Sequence, residues 1–139
     1  GVLGPLLAEA PAEITLANRT QQRAEQLVEQ FSNHGIPLHA SALDTLRGQF
    51  DLVINAISAG LQGEMPALND QLIAPDGVCY DMVYSSTGTT PFLDWAQLHG
   101  AVACQDGLGM LVEQAAESFY RWHDWRPKTR EVIAGLRQH

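Results

Sequence analysis

Two arginines flank the segment Arg19-Thr20-Gln21-Gln22-Arg23, directly after Asn18, in a chain that is otherwise acidic. A guanidinium is planar and always charged, so it pairs with phosphate oxygens through charge-assisted bonds and stacks on flat rings. The apolar run Ile14-Thr15-Leu16-Ala17 before it reads as a strand, and the residues after it read as a helix start. In a dinucleotide-binding αβ unit, an Asp or Glu at the tip of such a strand holds a ribose 2′-hydroxyl and repels a 2′-phosphate; arginine does the reverse. Asn18 stands in the acidic position, Arg19 follows it, and Thr20 can cap the helix while offering a hydroxyl. Arg23, one turn on, returns to the same place. A capped helix with two solvated arginines accounts for the same residues about equally well.

Three further stretches could do chemistry. "DLVINAISAG" is an apolar strand ending in Asn55, followed by the small residues Ala56, Ser58, Ala59 and Gly60, which let a ligand reach backbone groups at the carboxyl edge of a parallel sheet. "CYDMVYSSTGTTPFLDW" buries Asp81 on a strand, where it needs partners such as loop N–H groups, and then presents Met82 and Tyr84. Thr90 and Pro91 read as the N-cap and first residue of the next helix. "DGLGMLVEQAAESFYRWH" opens the longest helix with Gly107 and Gly109 and places Gln114 one turn beyond Met110. Each has a plain structural reading as well: a strand exit, a loop aromatic over the core edge, a solvated glutamine.

The elements that must position these residues alternate along the chain. Strands are expected at Glu13–Ala17, Ile36–Ala40, Asp51–Ala56, Gly77–Met82 and Ala101–Cys104. Helices are expected at Val2–Glu9, Thr20–His34, Pro91–His99, Leu108–Trp125 and Lys128–Arg137, with loops at Ser58–Gln71 and Tyr84–Thr90. Leu27, Val28 and Phe31 form a core-facing stripe in the second helix, and Leu111, Ala115, Ser118, Phe119 and Trp122 one in the long helix. The strands are continuously apolar, which favours strands covered on both faces: an α/β, doubly wound, mostly parallel sheet. The chain enters its first helix with no strand or glycine-rich turn before it, so a fragment lacking the first, central strand is expected.

With 139 residues, 45% of them hydrophobic, the chain suffices for one globular domain. The net charge of −8 argues against nucleic acid and acidic membranes as partners. Between Ala24 and Tyr120 twelve acids face a single base, Arg47, so the early arginine pair is a local device. The C-terminal cluster of Arg121, Arg126, Lys128, Arg130 and Arg137 reads mainly as a solvated helical face. Cys79 and Cys104 have no CxxC spacing and read as reduced thiols of a cytoplasmic protein; the five histidines lack ligand spacing, so no metal site is expected. No transmembrane span or signal peptide is expected.

Taken together and in order, "NRTQQRAE", "DLVINAISAG", "CYDMVY" with "TPFLDWA", and "DGLGMLVEQAAESFYRW" resemble the C-terminal half of shikimate dehydrogenase, the NADP-dependent oxidoreductase of aromatic amino-acid biosynthesis. The similarity covers essentially the whole chain, 1–139, which the resemblance makes an NADP-binding, Rossmann-like domain portion. It implies that Asn18, Arg19, Thr20 and Arg23 hold the adenosine 2′-phosphate, and that Asn55, Ala56, Ile57 and Ser58 line the cofactor near ribose and nicotinamide. Met82 and Gly107 would border the nicotinamide, and Tyr84 and Gln114 would contact shikimate. The family's proton-relaying Lys/Asp pair has no counterpart here, since Lys128 is the only lysine; no catalytic residue is expected on this chain, which should be inactive alone. The whole enzyme would interconvert 3-dehydroshikimate and shikimate with NADP(H). Rival readings are an NAD-using quinate/shikimate dehydrogenase and a non-catalytic nucleotide-binding module. A slot in place of the first strand would expose strand edges and favour self-association.

Overall fold

The apolar runs become parallel strands joined by helices in the computed structural model, which describes residues 1–57, 65–86 and 88–138. The order is α1 (Leu3–Ala8), β1 (Ile14–Asn18), α2 (Gln21–Phe31), a 3₁₀ turn (Ser32–His34), β2 (Leu38–Ala42), β3 (Phe50–Asn55), β4 (Ile73–Asp81), α3 (Pro91–Leu98), β5 (Ala103–Gln105), α4 (Leu108–His123) and α5 (Thr129–Leu136). No strand precedes β1 among the described residues. The chain divides into two compact units, Gly1–Gly48 with Ala67–Asn69, and Gln49–Pro66 with Asp70–His139.

In the first unit β1 and β2 pair in parallel from Ile14 opposite Leu38 to Asn18 opposite Ala42. A parallel pair needs a crossover, and α2 supplies it, packing on both strands. Its contact face centres on Ala24, which is fully buried and small enough to let the helix approach closely. Val28 and Phe31 are half-buried, whereas Leu27 of the expected stripe is exposed, because Ala24 rather than Leu27 sits over the strands. Gly35 closes the 3₁₀ turn at φ 74°, a left-handed conformation that glycine adopts without strain. Leu3 and Leu7 are the buried residues of α1.

The second unit is a parallel sheet in the order β3-β4-β5. Strand β4 begins earlier than its apolar core suggests. Phe50 pairs with Ile73, yet Leu52 pairs with Val78, so Ala74-Pro75-Asp76-Gly77 bulges between two ladder segments. Proline cannot donate to a ladder, and a bulge is where a strand tolerates it. Gly77 is required there: a Cβ would lie 2.6 Å from Ile73 Cγ2 and 2.9 Å from the Ala74 carbonyl oxygen.

Helix α3 packs against β4 and β5, burying Phe92, Leu93 and Ala96. Thr90 caps it, accepting from Leu93 N at 3.3 Å, and Pro91 occupies the first turn. Strand β3 ends the sheet, and there Asp51 and Leu52 are exposed, so the expected cover on both faces does not extend to it. Helix α4 turns a different stripe inward from the one expected. Leu108, Val112 and Ala116 are buried, while Leu111, Ala115, Phe119 and Trp122 are exposed and Ser118 is intermediate. The sequence of α4 holds two apolar stripes, and the smaller-residue one is the one packed inward. Helix α5 packs on α4 and has no buried residue. No helix among the described residues is long and apolar enough to cross a membrane.

Candidate functional site

The tip of β1 in the first unit carries the first group of residues. Asn18 ends the strand, and its Oδ1 accepts from Thr20 N at 3.0 Å, an Asx turn that bends the chain into α2. Thr20 stands at the N-cap position in an extended conformation, but its hydroxyl makes no cap bond. Asn18 has taken over the turn, which leaves the Thr20 hydroxyl available. Arg19 and Arg23 are exposed, and neither joins an ion pair with any described residue. The first turn of α2 holds no acid. Two unpaired cations at the positive end of a helix dipole are chemically suited to an anion. This arrangement has the charge that a 2′-phosphate requires, with the first acid of α2, Glu25, beyond the first turn and bonded to Gln21.

The second unit gathers the remaining residues around two buried carboxylates. Asp81 ends β4, 1% exposed. Its Oδ1 accepts from Asn55 Nδ2 at 3.1 Å and from Val83 N at 3.0 Å, and its Oδ2 accepts from the Thr90 hydroxyl at 2.6 Å. The loop partner expected for Asp81 is therefore Val83; the two side-chain partners were not foreseen. Asn55 is buried as well, and its Oδ1 accepts from Ile57 N at 3.2 Å while its carbonyl accepts from Met82 N at 3.0 Å. Both ends of the Asn55 side chain are thus engaged within the protein. Asn55 shapes the exits of β3 and β4, leaving Ala56 exposed and Ile57 half-buried at the rim. Ser58, singled out with them, lies outside the described residues.

Met82 and Gly107 meet through their backbones. Gly107 N donates to the Val83 carbonyl at 3.1 Å, and a Cβ on Gly107 would overlap the Met82 carbonyl. Glycine is therefore required by close approach at this position. Asp106 beside it has a fully buried side chain, with Oδ1 paired to Arg137 Nη2 at 2.5 Å. That pair was not anticipated: Arg137 belongs to the cluster read as solvated, and only the isolated acid in "QDGLG" after a strand signals the need for a partner. Tyr84 is half-exposed on the loop between Met82 and Thr90. Gln114 is exposed on α4 and lines an open groove with Met110, Glu113 and Ser118. In the same groove Glu117 accepts from Arg121 at 3.0 Å and Arg126 at 2.9 Å, bonds that hold its carboxyl below the usual range. Tyr80, next to Asp81, has its phenol raised by burial and then by the Asp106 and Asp81 carboxylates. Among the described residues no cluster of His, Cys, Asp and Glu could hold a metal ion.

Comparison with known proteins places these residues in context. The family model described as shikimate / quinate 5-dehydrogenase matches residues 2–63, and that of the shikimate 5′-dehydrogenase C-terminal domain matches residues 107–134. The NADP(+) shikimate dehydrogenase of Alcanivorax borkumensis is 58% identical over 138 residues, which are 99% of this chain and 49% of that protein. That of Alkalilimnicola ehrlichii is 58% identical over 137 residues, 99% of this chain and 50% of the relative. Among solved structures, an Ael1 enzyme from Pseudomonas putida superposes with a TM-score of 0.83 at 39% identity, covering 96% of this chain and 49% of that one. Shikimate 5-dehydrogenase from Thermus thermophilus, in complex with NADP(H) and shikimate, superposes with a TM-score of 0.72 at 32% identity, over 94% of this chain and 48% of that one. The chain spans about half the length of the curated relatives it matches.

Proposed function

The chain belongs to the shikimate dehydrogenase family, and from that premise we propose that residues 1–139 are the NADP-binding portion of an enzyme interconverting 3-dehydroshikimate and shikimate. The observation that carries this reading is the pair of unpaired guanidiniums, Arg19 and Arg23, at the acid-free N-terminus of α2. Together with Asn18 and the free Thr20 hydroxyl they would hold the 2′-phosphate that NADP has and NAD lacks. An NAD-using relative would be expected to place an acid where Asn18 stands.

When bound, NADPH supplies hydride. The chain's own residues bind and orient. Ala56 and Ile57 line the cofactor at the exit of β3, where Asn55 holds the turn. The close backbone pair Met82 and Gly107 borders the nicotinamide, and the missing Cβ at Gly107 is what lets the two backbones meet there. Tyr84 and Gln114 donate to substrate hydroxyls. The proton-transfer pair lies outside these residues: Lys128 is exposed at the N-cap of α5 and faces none of this machinery. The 139-residue chain alone therefore turns over no substrate. The two free cysteines fit a cytoplasmic setting. Strand β3 ends its sheet with Leu52 half-exposed, an edge suited to pairing with a second copy. Concentration-dependent sedimentation would reveal such pairing, and a monodisperse monomer would exclude it.

Titration of the protein with NADP+ and NAD+ tests the assignment. NADP+ is expected to bind about tenfold or more tightly, the worth of one charge-assisted phosphate contact. Equal affinities would refute the cofactor reading.

A further inference from the structure

Asp106 poses a problem that Arg137 solves. Its side chain is fully buried, its Oδ2 has no hydrogen-bond partner among the described residues, and Leu108 N reaches its Oδ1 only at 3.4 Å. A buried carboxylate is costly unless paired, and a single long amide bond does not offset that cost. Arg137 stands 31 residues away, directly after the last residue of α5, and contacts the same oxygen at 2.5 Å. The guanidinium also approaches the loop that carries Tyr84: its Nη1 lies 3.6 Å from where a Cβ of Gly88 would be. Beyond Asp106 the chain has little slack. Gly107 N is bonded to the Val83 carbonyl, and the Gly107 backbone is pressed against Met82.

We propose that Arg137 is a positioning residue: through Asp106 it fixes Gly107 against Met82 and so sets the width of the nicotinamide end of the site. The proposal rests on the assignment of Met82 and Gly107 given above. It makes the attachment of α5, a helix with no buried residue, part of cofactor binding. Without the guanidinium the Asp106 carboxylate turns toward water and draws Gly107 with it.

The test separates the two ends of the cofactor. Titrate the protein with NADP+ and with 2′,5′-ADP, which keeps the adenosine and 2′-phosphate but lacks the nicotinamide. In the unaltered protein NADP+ is expected to bind more tightly. Arg137→Ala is expected to weaken NADP+ about tenfold and leave 2′,5′-ADP unchanged, with Arg137→Lys between. An unchanged NADP+ affinity overturns the proposal, as does an equal loss for both ligands, which would mark a merely structural role. Should Arg137→Ala fail to fold, hydrogen exchange on the unaltered protein decides. NADP+ is expected to slow exchange of the α5 amides and 2′,5′-ADP to leave it unchanged; equal effects, or none, overturn the proposal. Failure of the underlying assignment looks different: NADP+ would then bind the unaltered protein no more tightly than 2′,5′-ADP, and the proposal falls with it.

Discussion

Replacing Thr90 with valine removes one hydroxyl and almost no volume, from a site only 4% exposed. That hydroxyl does two things. It donates to Asp81 Oδ2 at 2.6 Å and accepts from Leu93 N at 3.3 Å as the cap of α3. Losing the cap costs about 1 kcal/mol. Losing a hydrogen bond to a buried carboxylate costs about 1.5–3 kcal/mol, because water cannot replace it. Thr90→Val is therefore expected to destabilise the second unit by about 3 kcal/mol, a shift of about 1–2 M in the urea midpoint. Thr90→Ser keeps both bonds and loses one methyl, costing about 1 kcal/mol. Urea unfolding followed by tryptophan fluorescence reads this, since Trp95 lies on α3. The reasoning also requires coupling: in a double-mutant cycle, Asp81→Asn and Thr90→Val should cost about 1 kcal/mol or more less together than the sum of each alone. Equal stability of Thr90→Val and Thr90→Ser, or strict additivity with Asp81→Asn, would refute the carboxylate clamp.

Other outcomes follow from single features. Arg19→Ala is expected to weaken NADP+ about tenfold and leave NAD+ unaffected in calorimetric titrations at fixed salt; equal loss for both would remove the phosphate from the argument. Gly107→Ala forces a methyl group into the Met82 carbonyl and should cost about 2 kcal/mol or more by thermal unfolding; an unchanged midpoint would mean that the two backbones are not in contact. Burial, with Cys104 next, raises the Cys79 thiol from 9.0 to about 11. The folded state then keeps this proton where the unfolded chain has lost it, so the stabilisation is complete below pH 9 and is lost as pH rises toward 11, by about 2–3 kcal/mol in all. Cys79→Ala should flatten that part of the pH–stability curve, and an identical slope would show that the thiol is not responsible.

Much of the architecture is legible in local pattern. The continuous apolar run "DLVINA" marks its strand to within one residue at each end, "GVCYDM" marks the end of its own, and Thr90-Pro91 marks its helix start because cap chemistry is local. The expectation falls short where tertiary context decides. The beginning of β4 is hidden because the strand is expected to start only at Gly77, whereas Pro75 and Gly77 lie in a bulge of a strand that starts at Ile73. Two apolar stripes compete on α4, and periodicity cannot say which one is buried. In the site, Arg19 and Arg23 are recognisable because cations are scarce in their surroundings. The pairs Asn55–Asp81, Thr90–Asp81 and Arg137–Asp106 span 26, 9 and 31 residues, and no spacing rule reaches that far. What could be read was the need, a charge on a buried strand or turn, and not the partner that meets it.

The carboxylate at the end of β4 fastens the following loop at both its departure and its return, through Val83 and Thr90. A segment tethered in this way has its endpoints settled independently of what lies between them. An exchange at the exposed Tyr84 therefore leaves the anchoring of this loop to the sheet and to the cap of α3 as it is.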